Sequence, residues 1–585
     1  MKSFIIFILS LITTAGADGF NRTVLYKAAY DELNRSINKL RIKNQAPPYY
    51  ISYRIEEVDK IEIGAEFGGL LYNNKEKRRT AYVDLRVGDY NFDNSNFMCQ
   101  TRSSRIIGSE DTDLPIEDDY DAIRNALWLV TDGTYKKALE ELSRKKATLQ
   151  NRPRQEQIPD FSKAPSCPVD EPKIELSLDK ELWADRIVEL SDIFKDFPEI
   201  KESKIKFSIT TTTRLFLDSE GNQNQSAAVL TGIEISAKAQ SDDGDPLDYW
   251  RGFYAPRPEE LPPFDSLKKT IRAVAETLSM QTKLKKEEDY SGPVLFLGKA
   301  ATQLFFNLLG KGVSSPKSPV YENEMLSQRS SGKDLGRLSK RLGHRVMSKF
   351  LSAYDDPTTT AWKNNPLIGH FSVDDEGVCA RHVDLVKEGK LISLLMSRSP
   401  IKKIRESNGH GRFRSESYGS RVCGMVGNLF ITSKQSSSTE QLIDTLLAIC
   451  RDYEIPYGII ITYLEPTKPQ TLKDRYMRYF RSLTGVTEKP LLPAPITAYR
   501  VDTATGKISL IRGLDFSSIT PRVLRDIIGA SDEVYVDNFI YYDDEGNSYP
   551  MSVVAPAVLI EEMDLTTKET KPEKPPLLPH PYFKK

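Results

Sequence analysis

The chain is poor in the residues that hold metals. Of its 585 residues, five are histidine and five are cysteine. His344, His370, His382, His410 and His580 form no HExxH pair. Cys99, Cys167, Cys379, Cys423 and Cys450 form no Cys-x-x-Cys. A zinc ribbon, a dithiol redox motif and a helical zinc-protease motif therefore find no support. The odd cysteine count leaves one or two disulfides open without fixing their pairing. An excess of either charge is missing too. Lys plus Arg is 81 and Asp plus Glu is 82, so no overall field favours nucleic acid or an anionic membrane. There is no Gly-x-Ser-x-Gly, no Walker loop and no Gly-x-Gly-x-x-Gly. No apolar run is long enough to span a bilayer comfortably.

What is there begins with an address. Lys2, an apolar run from Phe4 to Ile12, and Ala15-Gly16-Ala17 before Asp18 follow the order of a secretory signal. The expectation is cleavage after Ala17 and a mature chain exported to the periplasm or beyond, with no stable membrane anchor. A hydrophobic N-terminal helix of the folded protein is the alternative.

The body, 39% hydrophobic and 28% charged, reads as globular and long enough for two or three cores. Residues 23–41 have apolar side chains at helical spacing. Period-two alternation from Tyr49, then "IEIGAEFGGLL" and "RRTAYVDLRV", predict three strands. Helices are expected at 119–149 and 179–194, with a proline-marked connector at 151–173 between them. Strands within 203–217 and 227–239 follow, then a helix marked by Leu267, Ile271, Val274 and Leu278. The polar run 283–292 divides an N-terminal α/β lobe, 18–290, from a C-terminal β-rich lobe, 291–565.

In the second lobe "PVLFLG" reads as a buried strand and "KAATQLFFNLLG" as an amphipathic helix. Residues 312–334 read as an exposed, serine-rich loop. "GHFSVDD", "ARHVDLV", "KLISLLMS", "GNLFIT" and "GIIITYL" read as strands. Ser438 with Gln441 predicts a capping box opening a helix at 439–451. Another helix is expected after Thr520-Pro521. Residues 566–585 form a Pro- and Lys-rich tail, expected to be extended. The fold class is α+β with two unequal lobes.

Few residues invite chemistry. Cys379 and His382 have the spacing of a metal pair, but residues three apart on a strand point to opposite faces. Asp374-Asp375-Glu376-Gly377 and Asp543-Asp544-Glu545-Gly546 are acidic turns of the kind that close hairpins, with calcium binding or acid catalysis as the sharper reading. The stretch "RESNGHGR" holds His410. Gly409 and Gly411 permit tight backbone paths, and Arg405 and Arg412 suit a peptide carboxylate. We therefore take Arg405, Asn408, Gly409, His410, Gly411 and Arg412 as a candidate peptide-contacting loop, against a plain connecting loop.

The ordered set "GPVLFLGKAATQLFFNLL", "RLGHRVMSKFLSAYDDPT", "DDEGVCARHVDLVKEGKLISLLMSRSP", "SNGHGR" and "VAPAVLIEEMDL" resembles the TldD/PmbA family, metallopeptidase-related proteins once called modulators of DNA gyrase. The resemblance implies paired subunits, as a homodimer or a heterodimer, around a cavity that takes extended peptides. In the active type it implies HExxxH at the head of the helix after the "VLF" strand and a later cysteine, together holding zinc. Here Gly298 and Gln303 stand where the two histidines would be, and Lys299 where the glutamate would be. Residues 291–343 contain no histidine or cysteine, and no cysteine follows Cys450. The chain thus resembles the non-catalytic, zinc-free subunit type, with no cofactor expected. An active peptidase with unrecognised residues and a stand-alone peptide-binding envelope protein are the other readings.

Overall fold

The computed structural model describes residues 23–99, 110–151, 157–323, 335–415, 420–469 and 490–574, and 576, 578, 580, 581 and 583 beyond them. The expected signal, 1–17, lies outside the described residues.

The first lobe is built on an antiparallel six-stranded sheet. Its order is Asp111–Asp113, Gly69–Val87, Pro48–Glu66, Ile200–Asp218, Gln223–Gln240 and Pro246–Ala255. Side chains alternate along a strand, and the sequence uses this at both ends of one long strand. In the strand Pro48–Glu66, Ile51, Tyr53, Ile55, Ile61, Ile63 and Ala65 all point to one face, and that face is buried. Helices Val24–Lys39 and Tyr120–Asn151 cover half of it. Helices Lys180–Asp192 and Phe264–Lys283 cover the other half. Leu267, Ile271, Val274 and Leu278 sit on the buried face of the last helix, each contributing roughly 1.5–3 kcal/mol. The opposite face carries Arg54, Glu56, Lys60 and Glu62 with Lys206, Ser208, Thr210, Thr212 and Arg214, and this polar face looks toward the second lobe.

The second lobe is an 11-stranded mixed sheet. Ser548–Thr567 is its spine, pairing with Tyr290–Phe296, Asn428–Ser433 and Ile527–Tyr542. Residues 551–560 are all buried, as expected of a strand covered on both faces. The helix from Lys299 packs on this sheet, with Ala300, Ala301, Leu304 and Phe305 inward. Helix Thr439–Asp452 opens with the expected capping box.

Several expectations are corrected. The three strands of the first hairpin are two, Pro48–Glu66 and Gly69–Val87, turning at Phe67-Gly68. "GHFSVDD" contributes only an isolated Val373–Cys379 bridge among the described residues, and "KLISLLMS" pairs at Lys390–Leu391 and through an isolated Ser314–Leu395 bridge. The segment after Thr520 is a single 3-10 turn, Pro521–Arg525, because the chain must enter a strand at Ile527. The loop 312–334 is not exposed at its start. Ser314 and Ser315 are buried, and Val320–Tyr321 pairs with Phe97–Met98; residues 324–334 lie outside the described residues.

Candidate functional site

The strand Tyr290–Phe296 leads through Leu297 and Gly298 into the helix Lys299–Phe305. Gly298 sits at φ 58°, ψ −130°, a conformation open to glycine and strained for other residues. An added Cβ would meet nothing within 4 Å, so backbone conformation and not space calls for glycine. Lys299 Nζ lies 2.8 Å from Asp537 Oδ1, and Asp537 is buried. Thr302 Oγ1 donates to the other oxygen of Asp537 at 3.3 Å. The Gln303 amide is committed at both ends: Nε2 donates to Leu464 O at 3.0 Å, and Oε1 accepts from Leu464 N at 2.8 Å. That amide completes a backbone ladder between helix and strand. Lys299, Gln303 and Asp537 line a cavity of about 540 Å³, with Trp250, Tyr254, Tyr463, Phe539 and Tyr541 as its aromatic walls.

The cavity shares Tyr254, Ile540 and Tyr542 with a larger groove of about 770 Å³. The groove lies between the polar face of the first sheet and the second lobe, against His370, Phe371, Asp375 and Arg412.

The candidate loop divides. Ser407 to Gly411 are buried, and His410 is wholly so. His410 Nδ1 donates to Asn408 O at 3.0 Å, and Nε2 lies 3.1 Å from Asp355 Oδ1. The Asn408 side chain accepts from Met396 N and donates to Leu394 O, both at 2.8 Å. Gly409 has φ 73°, and a Cβ there would lie 2.0 Å from Cys379 O. Gly411 N donates to Asp374 Oδ2 at 2.9 Å. These four hold the loop together. Arg412 alone reaches the groove, stacked over Phe371 and 3.6 Å from Asp375. Arg405 is exposed and lines neither cavity.

The other histidines do not converge. His370 Nδ1 donates to Pro357 O, and His382 lies beside Asp384 and Asp356. Cys379 is bonded to Cys167, which removes it as a metal ligand beside His382. Cys99, Cys423 and Cys450 are free and buried. Among the described residues no group of three or more His, Cys, Asp or Glu suits a metal.

The acidic turn at 374–376 is more than a hairpin closure, because it is buried. Asp374 Oδ1 accepts from Glu376 N and Val378 N, which is ordinary turn chemistry. Asp375 faces Arg54, Arg214 and Arg412. Burial pushes its carboxyl up, but the guanidiniums of Arg214, Arg412 and Arg54 override this and hold it at about 2. Its neighbours lack that relief. Burial, then the charge of Glu376, pushes Asp374 up to about 8. Burial pushes Glu376 up to about 7 against the pull of Arg398. Sequence spacing signals the turn; the facing sheet supplies Arg54 and Arg214.

A pH dependence follows. Between its unfolded and folded titration points, the folded chain keeps a proton that the unfolded chain has released. Each such proton removes about 1.4 kcal/mol of stability per pH unit as pH rises. Stability should thus fall from about pH 5 to about pH 8. Glu376→Gln keeps an acceptor for the Arg398 N–H and should flatten that slope. Urea midpoints measured across the range would show it; an unchanged slope would reject the assignment.

Comparison with known proteins fits this geometry. Residues 292–466 match the PmbA/TldA metallopeptidase C-terminal domain. The second lobe carries a PmbA/TldD-type C-terminal domain over those residues. A metalloprotease of Archaeoglobus fulgidus is 34% identical over 115 residues, which cover 20% of this chain and 24% of that protein. The chain thus matches about a quarter of that relative's length. In solved structures, a candidate modulator of DNA gyrase from Thermotoga maritima aligns over 92% of this chain and all of its own, with TM-score 0.52 and 15% identity. TldE from Thermococcus kodakarensis aligns over 88% of this chain and 97% of its own, with TM-score 0.53 and 13% identity. A candidate modulator of DNA gyrase from Bacteroides thetaiotaomicron aligns over 92% and 98%, with TM-score 0.51 and 8% identity. At these identities the likeness concerns the fold, which is the two-lobed α+β architecture expected from the sequence.

The PmbA/TldD metal can be tested against the residues present. Gly298 offers no donor, the Lys299 amine is paired with Asp537, and both ends of the Gln303 amide are used. Zinc favours thiolate, imidazole and carboxylate ligands, so this set does not fit it.

Proposed function

We propose that this chain is the zinc-free member of a PmbA/TldD-type pair, exported, and acting with a zinc-bearing homologue on extended peptides. One observation carries the reading: where the resemblance puts the metal motif, Lys299 is locked to Asp537 and Gln303 to Leu464. With no metal-activated water and no glutamate base at that place, the chain lacks the means of hydrolysis found in the active type. What remains suits holding a peptide. The groove between the lobes presents a polar strand face to its contents, and an extended backbone is recognised by hydrogen bonds that require no metal. Export is supported by the order of charged, apolar and small residues before Asp18 and by the Cys167–Cys379 disulfide, a bond that persists in oxidising compartments.

Such a pair should bury about 2,000 Å² or more. Native mass spectrometry of the affinity-purified protein is expected to give a dimer, with itself or with a homologue carrying HExxxH. A strict monomer at micromolar concentration, with no homologue recovered, would favour a stand-alone binding protein.

A further inference from the structure

Beside Gly298, across Lys299 from the cavity already described, lies a separate cavity of about 410 Å³. No Asp or Glu lines it, in a chain where acids and bases are equal in number to within one. Its lining holds two cations, Arg251 and Lys299, and a set of hydroxyls that includes Tyr249, Tyr499, Thr462 and Thr497. The Lys299 charge is matched by Asp537, which lines the other cavity. Arg251 makes no ion pair among the described residues; its guanidinium rests over the rings of Phe253 and Tyr463. Arg251 and Thr497 both hydrogen-bond the Tyr249 hydroxyl, a neutral partner, so the Arg251 charge is left without a carboxylate. A partly buried guanidinium beside hydroxyls and no carboxylate lacks an anionic counter-charge.

We propose that this cavity is a carboxylate-binding site, with Arg251 as its anchor. The ligand is a planar carboxylate, which matches the guanidinium fork, borne by the C-terminus of a short peptide or by a small free acid. The volume is that of a small-ligand site, larger than one carboxylate needs, so residues bearing the carboxylate fit with it. The peptide source rests on the peptide-holding reading above; the anion site stands without it.

The test is calorimetric titration of the purified full chain with trialanine acid, trialanine amide and acetate. The acid is expected to bind about tenfold or more tightly than the amide, the margin of a charged hydrogen bond. Arg251→Gln should abolish the difference, and Arg251→Lys, which keeps the charge but not the fork, should retain part of it. Acetate binding as tightly as the tripeptide acid would support the site with a free acid as its source. Equal binding of acid and amide would overturn the site while leaving the peptide groove standing. Unchanged binding by a folded Arg251→Gln, or no binding of any of the three, would also overturn it.

Discussion

Replacing His410 with alanine should cost about 3–5 kcal/mol of folding stability, the usual consequence of stripping one partner from a buried charged or hydrogen-bonded pair. His410 and Asp355 are both wholly buried, and among the described residues Asp355 Oδ1 accepts otherwise only from Gly427 N, at 3.1 Å. Loss of the ring leaves a carboxylate in the core with one N–H where it had two donors. It also frees Asn408 O and opens a cavity against Phe371. Arg412→Ala, three-dimensionally close, should cost far less. Arg412 is part-exposed, and Asp375 keeps Arg54 and Arg214. Urea denaturation of the two variants side by side checks this. A His410→Ala protein within about 1 kcal/mol of the parent would show that the pair does not hold the loop.

Removal of the Cys167–Cys379 disulfide should have a comparable effect. The bond ties the connector before Lys180 to the turn that carries Asp374, Asp375 and Glu376, across 212 residues of chain. On the chain-entropy account, closing a loop of that size stabilises by about 5 kcal/mol, and native disulfides typically contribute about 2–5 kcal/mol. The double variant Cys167→Ser, Cys379→Ser is therefore expected to melt well below the parent, and a reductant should lower the parent toward it. Equal melting with and without reductant would mean that the bond is absent or idle.

How much of this was legible in the sequence depends on what each residue faces. Helix Phe264–Lys283 was readable because one face is core and the other is water, so its period shows. The capping box at Ser438 was readable because the bonds it makes are local. The first hairpin was misread as three strands at Glu57 and Asp59. These residues point to the helix-covered face but fall between the two helix clusters, so the apolar alternation lapses while the ladder continues. Glu57 is instead held by Arg79 and Lys173. "SLLMS" mimics a strand because Leu394, Leu395 and Met396 are buried. Leu394 O and Met396 N are satisfied by the side chain of Asn408, Met396 O by Ser407 and Leu395 N by Val313 O, not by a continuous neighbouring strand.

The site was legible only through the family resemblance. Gly298, Lys299 and Gln303 carry no chemical signal of their own. The commitment of Lys299 to Asp537 and of Gln303 to Leu464 reaches far along the chain, beyond any local pattern. Arg251, unremarkable on an edge strand, stands out only when the cavity around it proves to hold no acid.

The central claim, that this PmbA/TldD lobe has given up its metal, is tested most directly by elemental analysis of the full-length protein purified without chelators and dialysed against trace zinc. The account predicts zinc far below one equivalent, with no gain in melting temperature on adding it; about one tightly held zinc per chain would contradict the account.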